Sequence, residues 1–162
     1  MDVLSVVGAR PQFIKAFVVS RELRCNHNEI LVHTGQHYDE ELSDVFFEEL
    51  GIPEPDHNLG IGSESHATHT ARMMTGLEAL VDKYDPDVLL CYGDTNSTLA
   101  AAIVASKRDV KLAHVEAGLR SVDRVRPTVK NTNLTDLASD ILFGPSSRAV
   151  DTHESGGITE RV

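Results

Sequence analysis

Short apolar runs recur along this chain, and five of them end in a cluster of polar residues and glycine. Val3 to Val7 runs into Gly8-Ala9-Arg10-Pro11, and Ile30 to Val32 into Thr34-Gly35-Gln36-His37. Val88 to Tyr92 runs into Gly93-Asp94-Thr95-Asn96-Ser97, Leu112 to Val115 into Glu116-Ala117-Gly118, and Ile141 to Phe143 into Gly144-Pro145-Ser146. The runs are nearly continuous rather than alternating, as expected of parallel strands covered on both faces. They predict strands at 3–7, 29–34, 88–92, 111–115 and 141–143.

Between them the apolar spacing turns helical. Phe13, Ile14, Phe17, Val18 and Leu23 mark a helix over 12–23, with Pro11 suited to its first turn because no N–H is needed there. Leu42, Val45, Phe46 and Leu50 mark a helix over 40–50 that Gly51 stops. Prolines and glycines make 51–63 a loop. Met73, Met74, Leu77, Leu80 and Val81 form the buried stripe of a helix over 66–84, and Asp85-Pro86-Asp87 turns into the next strand. Thr95 or Asn96 caps a small-residue helix over 99–106. The stretch 121–133 reads as polar and irregular, 134–140 as a helix, and Ser146 or Ser147 as the cap of a last helix to about 154. Helical connectors imply right-handed parallel crossovers, and so a doubly wound α/β fold. In such a sheet ligands bind outside the carboxyl ends of the strands, which gives the five polar clusters one meeting place.

A length of 162 residues suits a single domain over 1–162. No apolar stretch approaches the roughly 20 residues that span a bilayer. The apolar start at Met1 to Val7 is too short for a signal peptide and follows no basic region, so the expected location is the cytoplasm, with no membrane partner. The net charge of −10 disfavours a nucleic-acid partner, because phosphate backbones call for a basic face. Cys25 and Cys91 have no motif spacing; Cys91 lies inside an apolar strand and reads as a buried free thiol.

The chemistry-bearing residues sit in the strand-end clusters. Arg10 at a helix start, with Lys15 about one turn on, suits phosphate or carboxylate, since a helix N-terminus offers N–H groups and a positive dipole end. The alternative for both is a surface salt bridge. Asp94 is placed to act as a general base or bind sugar hydroxyls, or to serve as a helix cap. Glu116 near Asp94 would make a carboxylate pair with split roles; its alternative is neutralisation by Arg120 or Arg124. His114 reads as a satisfied core histidine. Gln36 and His37 would line the rim. No His, Cys, Asp or Glu set has metal-ligand spacing, His66 and His69 on one helix face included, and Ser97 lacks a nucleophile-elbow context.

Four stretches together resemble the non-hydrolysing UDP-N-acetylglucosamine 2-epimerases: Val6 to Lys15, His33 to Asp39, Tyr92 to Thr98, and Ala113 to Ser121. The resemblance covers almost the whole chain. It implies one Rossmann-like half of a glycosyltransferase-B type fold and an isomerase working without NAD or metal. That enzyme interconverts UDP-N-acetylglucosamine and UDP-N-acetylmannosamine by eliminating UDP to a 2-acetamidoglucal and adding UDP back on the other face. It carries substrate contacts onto Arg10 and Lys15 and active-site carboxylates onto Asp94 and Glu116. Two departures stand out. Where the family usually reads Met-Pro-Glu-Glu-x-Asn-Arg, this chain has Arg126-Pro127-Thr128-Val129-Lys130-Asn131-Thr132, so threonines replace a catalytic glutamate and an arginine. The last residues, 157–162, resemble the crossing into a second domain. The resemblance therefore implies a chain inactive alone, either a non-catalytic relic or a subunit whose cleft is completed by a homo-oligomer or by a partner carrying the C-terminal half.

Overall fold

A computed structural model describes residues 1–35, 54–119 and 125–155. Its centre is a parallel sheet in the order β3-β2-β1-β4-β5-β6, made of β1 (Asp2–Val7), β2 (Asn28–His33), β3 (His57–Asn58), β4 (Val88–Tyr92), β5 (Lys111–Val115) and β6 (Ile141–Phe143). The described helices are α1 (Arg10–Asn26), α2 (His66–Tyr84), α3 (Asn96–Ala105), α4 (Pro127–Ala138) and α5 (Ser147–Ser155). Strand order reverses between β1 and β4, which pair directly through Val3↔Val88 to Val6↔Cys91. That reversal is the switch point of a doubly wound sheet, so the expected fold class is the observed one.

Two cores lie on the two faces. Leu4, Val6, Ile30, Val32, Leu89, Cys91 and Leu112 meet Met73, Leu77 and Val81 of α2 and Ala100, Ala101 and Val104 of α3. Val3, Val7, Leu31, Leu90, Tyr92 and Ala113 meet Phe13 and Ala16 of α1. Neighbouring strand residues alternate between these faces, so both need apolar side chains and the runs lose their alternation. Cys91 and Cys25 are free thiols, the first buried and the second exposed, and burial pushes the Cys91 thiol well above its ordinary range. No described helix is long and apolar enough to cross a membrane.

Strands β4, β5 and β6 and helix α2 have the predicted bounds. Three other expectations change. Ile14 and Val18 of α1 are exposed, while polar Gln12 and Ser20 are buried, because both side chains have hydrogen-bond partners in the sheet layer. Within the expected 51–63 loop, His57–Asn58 adds an edge strand to β2 through Val32↔His57 and His33↔Asn58. The largest change is α4, which starts at Pro127 inside the stretch read as irregular. Its buried residues are Val129, Asn131, Thr132, Thr135 and Asp136, whereas Leu134 and Leu137 are exposed. A helix that buries polar side chains and exposes leucines carries no helical apolar period. The expected helix over 40–50 lies outside the described residues.

Candidate functional site

The carboxyl edge of the sheet carries the β1–α1, β4–α3 and β5–α4 turns. At the switch point the first two are bound together by Gln12. Its Oε1 accepts from the Gly8 and Ala9 N–H groups at 2.7 and 3.1 Å. Its Nε2 donates to the Tyr92 carbonyl at 2.5 Å and lies 3.0 Å from Thr95 Oγ1. The Gln12 N–H itself bonds the Ala9 carbonyl, and Pro11 has none. The donors that a bare helix start would offer an anion are thus largely used internally, which corrects the expectation built on this turn. Gly8 is required by close approach: a Cβ there would collide with Ser97 Oγ and lie 2.5 Å from Thr34 Oγ1.

Thr95, not Asp94, caps α3: its side chain accepts from Thr98 N, and Thr98 Oγ1 accepts from Thr95 N at 3.2 Å. Asp94 is therefore spared from capping and exposed. Gly93 before it has φ 68°, a region that an L side chain rarely adopts; a Cβ here would point at Glu116 Oε2, 3.3 Å away. Glu116 follows β5 at φ 71°, uncommon for a residue other than glycine. Its N–H and that of Ala117 both bond the Phe143 carbonyl, at 3.1 and 3.2 Å.

These turns bring three of the predicted residues into one cleft of about 420 Å³, lined by Lys15, Gly93, Asp94, Glu116, Leu119, Arg126, Thr128, Val129 and Thr132. Lys15 Nζ sits 2.5 Å from Glu116 Oε2. The cation and carboxylate read separately from two segments are thus each other's partner, and among the described residues the cation beside Glu116 is Lys15, where the alternative reading offers Arg120 or Arg124. The pair is still reachable, with side chains 39% and 22% exposed. Arg10 is exposed on the first turn of α1, on the same edge, and is not among the residues lining the cleft. Gln36, His37, Arg120 and Arg124 lie outside the described residues. Both threonines of the departing 126–132 segment line the same cleft as the carboxylates.

His114 is buried, with Nδ1 2.7 Å from Asp136 Oδ1 and Nε2 2.7 Å from the Gly93 carbonyl; it is the satisfied core histidine expected. His66 and His69 both aim Nδ1 at the Asn96 amide, 3.1 Å away. Among the described residues no group of three or more His, Cys, Asp or Glu could hold a metal ion. Sequence reading gave no site role to Gln12 or Asn131. The second donates to the Asp94 carbonyl at 3.1 Å and so steadies that turn from α4. An asparagine inside a helix carries no local signal for such a role.

The reversal point, the turns gathered at its carboxyl edge and the charged cleft beside it define a doubly wound α/β domain with a candidate ligand site at its switch point. Comparison with known proteins makes this specific. Residues 21–161 match the UDP-N-acetylglucosamine 2-epimerase family, and the chain belongs to it. It is 50% identical, over its whole length and 45% of the relative's, to a UDP-N-acetylglucosamine 2-epimerase homolog of Methanococcus maripaludis. It is 48% identical, again over its whole length and 46% of the relative's, to the UDP-2,3-diacetamido-2,3-dideoxy-D-glucuronate 2-epimerase of Pseudomonas aeruginosa. The Methanocaldococcus jannaschii UDP-GlcNAc 2-epimerase, solved with UDP-GlcNAc and UDP, superimposes with a TM-score of 0.95 at 42% identity, covering 99% of this chain and 45% of that one. The chain thus spans a little under half the length of these relatives.

Proposed function

We propose that residues 1–162 form one domain that supplies one wall of a UDP-sugar cleft, for a 2-epimerase interconverting UDP-N-acetylglucosamine and UDP-N-acetylmannosamine. The single observation that carries this reading is the Lys15–Glu116 pair beside Asp94 in an open cleft at the carboxyl edge. Elimination removes the proton on the sugar carbon bearing the acetamido group and breaks the bond from the anomeric carbon to the diphosphate oxygen. Glu116 and Asp94 are the groups placed to take and return that proton. Lys15 is placed to meet negative charge as it develops on the departing diphosphate, and ligand entry then competes with Glu116 for the ammonium. Arg10, Gln36 and His37 are assigned to further substrate contacts. Re-addition of UDP and delivery of a proton to the opposite face complete the exchange.

Asp94, Leu119, Arg126 and Thr128 are exposed along the cleft, and threonine at 128 and 132 supplies neither a carboxylate nor a cation. The facing wall is therefore assigned to a second domain, on the same polypeptide, on a second copy or on a partner chain. Residues 1–162 alone are expected to bind UDP in the millimolar range, about −4 kcal/mol, and to form no UDP-N-acetylmannosamine. An amide-resolved NMR titration with UDP-N-acetylglucosamine tests the reading. Expected are shifts at Gly93 to Thr95, at Glu116 to Gly118 and at Lys15. No shift at those three places, micromolar UDP affinity, or steady product would each contradict it.

A further inference from the structure

We propose that His114 and Asp136 are the positioning pair of this cleft, holding its carboxylate-bearing turns and its threonine wall in one geometry; the inference rests on the cleft being the UDP-sugar site. His114 lies in β5, two residues before Glu116, and Asp136 in the last turns of α4. Both side chains are wholly buried. Nδ1 of His114 meets Asp136 Oδ1 at 2.7 Å, and its Nε2 meets the Gly93 carbonyl at 2.7 Å. A carbonyl only accepts, so Nε2 carries a hydrogen. The other oxygen, Asp136 Oδ2, accepts the Gly118 N–H at 3.1 Å.

Two side chains therefore tie three backbone segments. Each segment bears part of the cleft. Asp94 directly follows Gly93, Glu116 lies between His114 and Gly118, and Thr128, Val129 and Thr132 share α4 with Asp136. Stability alone does not call for such a pair, because apolar side chains of similar volume commonly serve a core as well or better. What an apolar contact lacks is direction. Hydrogen bonds fix donor and acceptor to within a few tenths of an ångström, whereas apolar packing tolerates sliding. The need is concrete at Glu116, whose φ of 71° is a conformation that persists only where its surroundings over-determine it. Phe143 holds the start of that turn through the Glu116 and Ala117 N–H groups, and Asp136 holds its end at Gly118. Neither residue touches substrate in this arrangement; both act through the turns they hold.

Two variants of the full chain separate positioning from mere folding. Asp136→Asn can keep both the His114 and the Gly118 hydrogen bonds, since its amide oxygen accepts the Gly118 N–H and its NH2 donates to Nδ1 of a histidine protonated on Nε2. His114→Phe keeps bulk and loses both bonds. Expected for His114→Phe are displaced amide resonances at both Gly93–Asp94 and Glu116–Gly118, and UDP-N-acetylglucosamine affinity weaker by about tenfold or more. Expected for Asp136→Asn are wild-type resonances at both turns and affinity within about twofold. A folded His114→Phe with a lowered Tm but unmoved turns and unchanged affinity would reduce the pair to a structural role and overturn the proposal. Should His114→Phe not fold, Asp136→Asn decides: wild-type turns and affinity support the proposal, whereas displaced turns or a loss of about tenfold in affinity with the hydrogen bonds kept overturn it. If the wild-type chain shows no response to UDP-N-acetylglucosamine, the UDP-sugar reading fails, while the turn resonances of the ligand-free variants still decide the pair.

Discussion

Gln12 and Lys15 lie less than one helical turn apart and have opposite kinds of importance. Gln12 is buried and satisfies the Gly8 and Ala9 N–H groups and the Tyr92 carbonyl. Gln12→Ala strands the Gly8 and Ala9 N–H groups, while the Tyr92 carbonyl still accepts from Thr98 Oγ1 at 2.6 Å, and each unsatisfied buried group costs about 1–3 kcal/mol. Part of this is recovered as water enters, so the expected loss is about 2–3 kcal/mol, read from urea denaturation. Lys15 is part-exposed and bridges to Glu116. Such pairs contribute about 0–1 kcal/mol, so Lys15→Met should leave Tm nearly unchanged. Its UDP affinity should instead fall, by about threefold to tenfold, as measured by titration calorimetry. An unchanged affinity would remove Lys15 from the phosphate role. Arg10, Asp94 and Glu116 were legible in the sequence as charged residues just past strand ends, and Lys15 as a cation about one helical turn further on. That Lys15 and Glu116 would pair was not, because it depends on how far α1 stands from the β5 turn.

At the scale of elements, α4 is the instructive case. Its period is invisible because its buried face is one valine, Val129, with Asn131, Thr132, Thr135 and Asp136, and no leucines. These residues are tolerated inside because most have partners: Asn131 reaches the Asp94 carbonyl, Asp136 reaches His114 and Gly118, and Thr132 Oγ1 donates to the Thr128 carbonyl. Thr135 is the exception, fully buried with Oγ1 lacking a hydrogen-bond partner. Replacing an unpaired buried hydroxyl by a methyl of the same shape removes a desolvation cost. Thr135→Val should therefore raise stability by up to about 1 kcal/mol, seen as a higher urea midpoint. A fall would show that the hydroxyl is engaged in solution. The short β3 was hidden for a different reason. Two residues carry no alternation to read, and only the free edge of β2 makes them a strand.

For the whole molecule, acid stability follows from His33. It is buried against the β1–α1 turn, its ring 4.9 Å from that of Phe13. Desolvation lowers its pKa from 6.5 to about 4, against a raising hydrogen bond with the Gly8 backbone. Between those two values the unfolded chain binds the proton and the folded chain does not, so stability rises with pH across that window. Lowering the pH from neutral to about 4 should cost on the order of 3 kcal/mol from this group. Urea midpoints measured across the window should decline with acid, and His33→Asn should flatten that part of the profile. A profile with the same slope in the variant would assign the decline to other groups.

The sequence by itself determined the doubly wound class, the main strands, and the strand ends where charged residues collect. These follow from burial, because a strand covered on both faces must be apolar throughout, and a chain leaving the sheet must turn polar. Tertiary structure decided which of those charges meet. The partnership of Lys15 with Glu116, the bridging by Gln12, and the anchoring of two turns by His114 and Asp136 each join residues that are distant along the chain. Their geometry is set by the spacing of packed helices and strands. No local pattern records it.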